Sequence, residues 1–246
     1  MNIVALHFFF RLKQIFREQA YVVSTLIFPA LFFLIFALPN ATTPERAKLL
    51  LGSFSAFAIL AVVVLQFGVQ LSTEIRSPWN QYLRTLPVSQ RKLFSADMLR
   101  AFVMGSLSVF VVICTVLVST DVSLSAADVF GLWILQLILA IPFSVFAAGL
   151  AFWIRPEAAL PIFNLIYILG SFAGGLWLPP NALPEKIRAL SVYLPTRHMG
   201  EVTWAFLLNN PFPRVEAALL ALFSAFSLIF YLVSWRSYKK SPHSNS

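Results

Sequence analysis

Six stretches of the chain contain no aspartate, glutamate, lysine or arginine over 19 or more consecutive residues, and they restrict the fold more than any other feature. They cover residues 20–38, 49–72, 101–120, 129–154, 158–183 and 217–235. A helix needs about 20 apolar residues to cross the hydrocarbon core of a bilayer. Because backbone polar groups in lipid must be satisfied within the segment, each stretch is predicted to form a membrane-spanning helix. The fold class is therefore all-α, a polytopic membrane protein whose six transmembrane helices form one domain over residues 20–235.

The composition excludes a soluble protein of this length. Only 11% of the 246 residues are charged and 59% are hydrophobic, whereas about 25% of the residues in a soluble protein are charged. The single cysteine, Cys114, excludes a disulfide framework. The three histidines are too far apart in sequence to suggest a metal site.

The basic residues are distributed unequally between the two sides of the predicted bundle. Residues 1–19, 73–100, 155–157 and 236–246 hold 12 lysines and arginines, and the opposite side holds six. Acidic residues are divided four against six, so the whole net charge of +8 lies on the first side. The positive-inside rule predicts cytoplasmic termini and a cytoplasmic basic tail at 236–246. This charge faces anionic lipid headgroups, which removes the reason to expect nucleic acid as a partner.

Residues 1–19 precede the first span and have their own pattern. Polar side chains recur at helical spacing on one face, and apolar side chains cover the rest. We predict an amphipathic helix in the cytoplasmic interface. Its role is open between a simple membrane anchor and a link to a cytoplasmic partner.

Several functions are excluded by what the six stretches lack. None contains an acid or a histidine, which transporters driven by ion gradients usually place near the bilayer midplane. Catalysis within the membrane is not expected, because the six stretches hold no cluster of acids, no nucleophile with its base and no set of metal ligands. No G-x-x-x-x-G-K-[ST] phosphate loop occurs in the chain. The chain is predicted not to be an enzyme, so energy for transport would come from another subunit.

The longest cytoplasmic connection, residues 73–100, contains a short helix signal. Ser77 suits an N-cap, Pro78 suits the first helical position, and Pro87 ends the pattern. Between them Trp79, Tyr82, Leu83 and Leu86 repeat at helical spacing, and a second helix start follows at Ser89. The short helix either rests on the bilayer surface or fits a groove in a cytoplasmic partner.

Two further amphipathic stretches lie in the external segment 184–216. One follows Pro184, and the other follows Thr196 and ends near Asn209. Periodicity does not distinguish helices that lie flat on the outer leaflet from helices that dip back into it.

A few polar residues fall within the spans. Gln66 and Gln70 share one face with Glu74, and Asn164, Tyr167 and Ser171 lie in the fifth span. Such side chains either bond neighbouring helices or contact a transported molecule.

Two motifs in this order resemble a known family. Residues 74–89 read E-I-R-S-P-W-N-Q-Y-L-R-T-L-P-V-S, which is similar to the E-x-R-x-G-x-x-E-x-L-x-x-x-P-[VI]-S pattern of ABC-2 type permeases. The second half of the chain resembles that family's G-x-x-x-P-x-x-x-L-P signature and trailing proline element. The residues that carry this resemblance are Gly174, Gly175, Pro179, Leu183, Pro184 and Pro195. The chain departs from the pattern at Pro78, which replaces a glycine, at Gln81, which replaces a glutamate, and at Asp97, where a lysine is common.

The resemblance implies a membrane subunit of an ATP-binding-cassette exporter, which forms half of a translocation pathway as a homodimer or as a heterodimer with a sister permease. A separate ATPase would hold ATP and Mg²⁺, so this chain needs no cofactor of its own. The substrate would be amphipathic, such as a drug, a lipid or a lipid-linked glycan. The location would be a bacterial or archaeal inner membrane. The alternative function is a membrane scaffold or channel-like protein that works without ATP.

The resemblance also assigns roles to residues. It implies that Glu74, Arg76, Trp79, Tyr82, Leu83, Leu86 and Pro87 couple the chain to the ATPase. It favours a re-entrant external segment around the glycine and proline motif. It favours a cavity role for the polar set of Gln66, Gln70, Asn164, Tyr167 and Ser171 as much as a packing role.

Overall fold

Six helices long and apolar enough to cross a membrane form the frame of the molecule. A computed structural model describes residues 9, 13, 17, 19–85 and 89–240. Every regular element in this part of the chain is helical, and no strand occurs in it. The prediction of an all-α protein with six spanning helices is confirmed. The predicted interfacial helix at 1–19 lies almost entirely outside the described residues.

The helices follow one another with short connections. They are α1 (Gln19–Phe32, continued by a π-helical turn at Phe33–Ala37 and a 3₁₀ turn at Leu38–Asn40), α2 (Pro44–Leu60, a π-helical turn at Ala61–Gln66, then Phe67–Ile75), α3 (Pro78–Thr85), α4 (Gln90–Ser119), α5 (Ala126–Ala151), α6 (Pro156–Ala173), α7 (Glu185–Ser191), α8 (Pro195–Leu207) and α9 (Arg214–Lys240). The six spanning helices are α1, α2, α4, α5, α6 and α9.

The helix bounds follow local capping chemistry. α2 begins after Thr43, whose Oγ1 accepts a hydrogen bond from the backbone N–H of Arg46 at 3.3 Å. α5 begins with a capping box in which Ser125 and Asp128 bond each other's backbone N–H. Both helices begin at the residue after a side-chain cap.

The fifth apolar stretch is longer than its helix. The charge-free run continues to residue 183, but α6 ends at Ala173. Gly175 follows with a φ of +79°, a conformation that glycine adopts without strain. Residues 174–183 then form an irregular segment with a 3₁₀ turn at Pro180–Ala182. The length of a charge-free stretch therefore overestimates this spanning helix, because about one third of the stretch lies beyond the end of α6.

α2 is the central helix and is buried over most of its length. It packs against α1, α4, α5, α6 and α8. Small side chains allow this close approach, because Gly52, Ser53, Ala56 and Ala58 line its buried first half. The predicted site residues at its end, within 66–76, are consequently held by a helix that contacts most of the bundle.

Gly68 marks the closest approach between α2 and α6. A Cβ added there would lie 2.3 Å from Cε1 of Phe163, whose ring is fully buried. We expect Gly68→Ala to destabilise the fold by about 1–3 kcal/mol through overpacking. Thermal unfolding of the detergent-solubilised protein measures this. Gly170→Ala is the matched control, because its Cβ would meet Thr196 Cγ2 at an ordinary 3.7 Å. Equal melting temperatures for the two variants would contradict the prediction.

Candidate functional site

The short helix α3 leaves the end of α2 after a two-residue turn. The Ser77 hydroxyl donates to the carbonyl of Glu74 at 2.8 Å and accepts from the backbone N–H of Asn80 at 3.1 Å. These bonds cap α3 as the sequence predicts. Of the elements that the structure describes, α3 packs chiefly on α2.

The aromatic side chains of α3 are exposed. Trp79 is 56% and Tyr82 is 54% exposed, and their ring centroids lie 5.5 Å apart. Leu83 is half-buried, and Gln81 and Thr85 are exposed. Leu86 and Pro87, the last two predicted coupling residues, lie outside the described residues. An exposed aromatic pair on a two-turn helix is unusual for a solvated surface and typical of a contact surface.

Arg76 points into the bundle, away from the exposed face of α3. Its Nη2 donates to the carbonyl of Phe152 at 2.9 Å, and its Nη1 donates to the carbonyls of Ala151 and Ser72, both at 3.3 Å. Two of these acceptors lie at the carboxyl end of α5, where carbonyls lack partners within their helix. Burial lowers the pKa of Arg76, and the nearby Glu157 partly opposes this shift. Arg76 thus caps one spanning helix from the end of another.

The end of α9 is tied to the same place. The Tyr238 hydroxyl donates to the carbonyl of Ile75 at 3.2 Å. Trp153 Nε1, in the turn between α5 and α6, donates to Ser234 Oγ on α9 at 2.8 Å. The Phe152 ring packs against Tyr231, Trp235 and Tyr238 with centroid distances of 5.1 to 6.1 Å. We call Arg76, Ile75, Phe152 and Tyr238 the helix-end joint, because it connects α2, α5 and α9 next to the root of α3.

Gln70 and Glu74 interact directly at the same end of α2. Gln70 Nε2 donates to Glu74 Oε1 at 2.7 Å, and both side chains are half-buried. The shared face that the sequence predicts is therefore present. The Glu74 side chain does not extend toward the exposed face of α3 but is held against its own helix by this bond.

Gln66 joins two spanning helices. Its Nε2 donates to Thr25 Oγ1 of α1 at 2.8 Å, and Ser108 of α4 donates to the carbonyl of Thr25 at 3.1 Å. A hydrogen bond of this kind between membrane helices contributes about 0.6–2 kcal/mol. Of the two roles left open for Gln66, this contact matches the packing role.

The polar residues of α6 differ in exposure. Tyr167 is buried, stacks on Phe57 at 4.9 Å and donates to the carbonyl of Phe57 at 3.3 Å. Ser171 is fully buried, and its hydroxyl has no hydrogen-bond partner in the described residues. Asn164 is half-buried. Exposed Leu160 and Leu165 flank it on the outward face of α6.

The external motif brings α8 into the bundle. A Cβ on Gly174 would lie 2.3 Å from Thr196 Oγ1, and that hydroxyl donates to the carbonyl of Gly170 at 2.6 Å. Gly174 therefore allows the start of α8 to touch the end of α6. Leu183 is buried, while Pro179, Pro184 and Pro195 lie at the bends that delimit the 3₁₀ turn, α7 and α8.

α8 is packed among the spanning helices along its length. Trp204 Nε1 donates to Ser53 Oγ of α2 at 2.9 Å, and Gln136 Nε2 of α5 donates to Thr203 Oγ1 at 3.1 Å. Met199 and Thr203 are fully buried. These polar bonds were not anticipated from the sequence, because their partners lie 67 and 151 residues away.

The charged residues at the start of α8 are mostly paired. Arg197 donates to Glu201, one helical turn away, and also lies 5.5 Å from the Trp204 ring. His198, in contrast, is buried. Burial lowers its pKa, so the neutral imidazole is favoured.

Residues 8–208 match the family model described as ABC-2 type transporter. The chain belongs to this family. It is also 25% identical over 240 residues to "Putative transport permease YvfS" of Bacillus subtilis (strain 168), an alignment that covers 95% of this chain and 96% of the relative. No solved structure matches.

The family places the residues above in a functional context. An ABC-2 type transporter chain with six spanning helices is a multi-pass membrane permease, and the family implies an ATP-binding subunit as partner. Permeases of this family transport and are generally not enzymes themselves. The resemblance drawn from the two sequence motifs is confirmed.

Proposed function

We propose that this chain is the permease subunit of an ABC exporter and forms half of the translocation pathway for an amphipathic substrate. A separate ATPase subunit would hold ATP and Mg²⁺. The observation that supports this most is α3, a capped two-turn helix that carries an exposed aromatic pair and begins next to the helix-end joint. A partner that grips α3 would act on α2, α5 and α9 together.

The coupling surface would be the exposed side of α3. Trp79 and Tyr82 offer large apolar area with a polar edge, the composition enriched at the centre of protein interfaces. Leu83, half-buried beside them, would complete the contact. Glu74 and Arg76 would act differently, since both are bonded within the membrane subunit. Leu86 and Pro87 remain in the proposal on the basis of the family pattern alone.

The second half of the pathway would come from a second permease, identical or a sister chain. The part of α6 that carries Asn164 and exposed Leu160 is a suitable contact, and it lies outside the lining of the groove described below. An amide in lipid needs a hydrogen-bond partner, and a facing helix can provide one. Gln70 and Tyr167 would lie nearer the pathway than Gln66, which is bonded to Thr25.

Gln70→Leu is expected to change substrate preference while basal ATP hydrolysis by the complex is kept. The change removes the amide that bonds Glu74 at 2.7 Å but keeps the side-chain volume similar. Transport assays with several amphipathic dyes in proteoliposomes measure the preference. Gln66→Leu serves as control, because its loss should lower stability and leave preference unchanged. Reduced assembly with unchanged preference for Gln70→Leu would assign it a packing role.

The proposed orientation places both termini, the connection 73–100 and the tail 236–246 in the cytoplasm of a bacterial or archaeal cell, with 184–216 outside. The excess of positive charge on the first side supports it. Single cysteines at Ser89 and Asn210, in a Cys114→Ser background, test it with a membrane-impermeant maleimide. In intact cells we expect labelling at position 210 and none at position 89. The reverse pattern would overturn the orientation.

Co-purification with an ABC ATPase encoded by an adjacent reading frame tests the proposed function. A stable complex whose ATP hydrolysis rises with an amphipathic substrate, and which moves that substrate across proteoliposomes, is the expected result. Failure of every neighbouring ATPase to bind, with membrane insertion intact, would favour the scaffold or channel-like alternative.

A further inference from the structure

A groove of about 870 Å³ opens between α6 and the pair formed by α5 and α9. Its floor includes Leu60 and Val64 of α2, and one end is closed by α7 and the start of α8. This volume lies within the ~300–1,000 Å³ typical of sites for small organic ligands. A further membrane-spanning helix, ~10 Å across and ~30 Å long, fills roughly 2,400 Å³, so the groove cannot enclose one.

The groove is apolar and opens to the side of the bundle. Its rim is formed by exposed side chains, Leu165 and Leu169 of α6, Leu190 of α7 and Phe226 of α9. Its deeper wall is formed by buried residues, among them Phe143. In a protein that spans a bilayer, such a lateral opening faces hydrocarbon chains and not water.

Two observations distinguish this groove from an ordinary lipid-facing surface. Ser171 lines it, is fully buried, and carries a hydroxyl without a hydrogen-bond partner in the described residues. At the closed end, Ile187 and Leu190 of α7 face the groove while Lys186 and Arg188 on the same helix are exposed. Glu185 is the one acid on α7, so this short helix carries a net positive charge.

We propose that the groove is a binding site for one anionic membrane phospholipid. An acyl chain lies along the wall formed by α6 and α9, and the headgroup phosphate lies near Lys186 and Arg188. The Ser171 hydroxyl donates to the ester oxygens that join the chain to its headgroup. The groove shares Tyr167 and Ser171 with the predicted cavity set. Lipid binding itself needs only a chain inserted in a membrane and neither an ATPase nor transport.

Photolabelling of the full-length protein in nanodiscs tests the proposal. The discs contain equal amounts of phosphatidylglycerol and phosphatidylcholine, and one of the two carries a diazirine on its acyl chain. We expect phosphatidylglycerol to label peptides with Leu165, Leu169, Leu190 and Phe226 far above other exposed apolar peptides, and phosphatidylcholine to label them weakly. Labelling spread evenly over all exposed faces, including α1, would overturn the proposal.

Two pairs of variants separate the apolar part of the site from the charged part. Ala173→Phe places a ring in the groove and should lower its labelling about tenfold, which corresponds to ~1.4 kcal/mol of lost contact. Ala218→Phe, on an exposed part of α9 outside the groove, is its control and should not change labelling. Replacing Lys186 and Arg188 by glutamine should lower the preference for the anionic lipid by about fivefold per charge, because each basic side chain near an anionic headgroup contributes ~1 kcal/mol. Arg214→Gln is the control.

Two results contradict the proposal even if all variants fold. Equal labelling of the wild-type groove by both lipids shows that the charge on α7 selects nothing. Efficient disulfide formation between two copies carrying Leu169→Cys, in the Cys114→Ser background, shows that a second copy covers the groove in the membrane. Loss of ATPase binding or of transport has no bearing on either measurement, so the lipid site and the proposed function fail independently.

Discussion

Leu83→Asp should abolish the complex between this chain and its ATPase subunit while leaving membrane insertion intact. Leu83 is half-buried on α3 beside exposed Trp79 and Tyr82. Docking would complete its burial, and an unpaired carboxylate buried at an interface costs several kcal/mol. A loss of about 3 kcal/mol corresponds to a more than hundredfold weaker complex. Pull-down of the ATPase by detergent-solubilised variants measures the effect.

The control for Leu83→Asp is Gln81→Ala on the same helix. Gln81 is exposed, and its loss should alter ATPase binding by less than threefold. The family pattern has a glutamate at this position, so Gln81→Glu is a second informative variant that should bind at least as well as the wild type. Full ATPase binding and substrate-stimulated hydrolysis by Leu83→Asp would show that α3 is only a surface anchor.

The features that the sequence predicted well are those fixed by local chemistry. The start of α3 follows from a cap at Ser77 and a proline at the first helical position, and both signals act within one turn. The start of α4 after Ser89 was predicted in the same way. The number of spans follows from lipid as solvent, which imposes a minimum length on each apolar run.

Long-range contacts could not be predicted, because one sequence contains no signal for them. Arg76 was assigned to the coupling surface through its motif, yet two of its three hydrogen-bond acceptors lie 75 and 76 residues along the chain. Gln66 was left open between packing and cavity, and its partner Thr25 is 41 residues away. The end of α6 was placed about ten residues late, since charge-free sequence does not distinguish helix from apolar loop.

The buried surface of α8 shows a further limit. Its amphipathic pattern predicted a helix that lies on or dips into the outer leaflet, and both arrangements bury one apolar face. In the structure α8 packs against α2, α5, α6 and α9. Gly52 of α2 lets α8 approach closely, because a Cβ there would lie 3.0 Å from Thr203 Cγ2. The hydrogen bonds of Trp204 and Thr203 tie α8 to α2 and α5.

Arg76→Ala should uncouple ATP hydrolysis from transport without releasing the ATPase. Arg76 lies on the inward side of the α3 root, so the docking surface of Trp79, Tyr82 and Leu83 is kept. Its loss removes three hydrogen bonds, two of them to the carboxyl end of α5, and each bond to a charged donor contributes about 1.5–3 kcal/mol. Movement of α3 would then reach α2 but no longer α5.

Two matched variants identify the cause of this uncoupling. Arg155→Ala removes an exposed arginine from the turn between α5 and α6 and should leave transport within about twofold of the wild type. Arg76→Lys keeps the charge but not the planar donors that reach Ala151, Phe152 and Ser72 together, so it should restore only part of the coupling. The measurements are ATPase retention, basal hydrolysis and substrate transport in proteoliposomes. We expect Arg76→Ala to keep ATPase retention and basal hydrolysis and to lower substrate transport at least tenfold. Leu83→Asp should lose ATPase retention, basal hydrolysis and transport. If Arg76→Ala transports as well as Arg155→Ala, the helix-end joint does not transmit the motion of α3. The hydrogen bond from Tyr238 to Ile75 would not by itself justify a role for the joint in coupling.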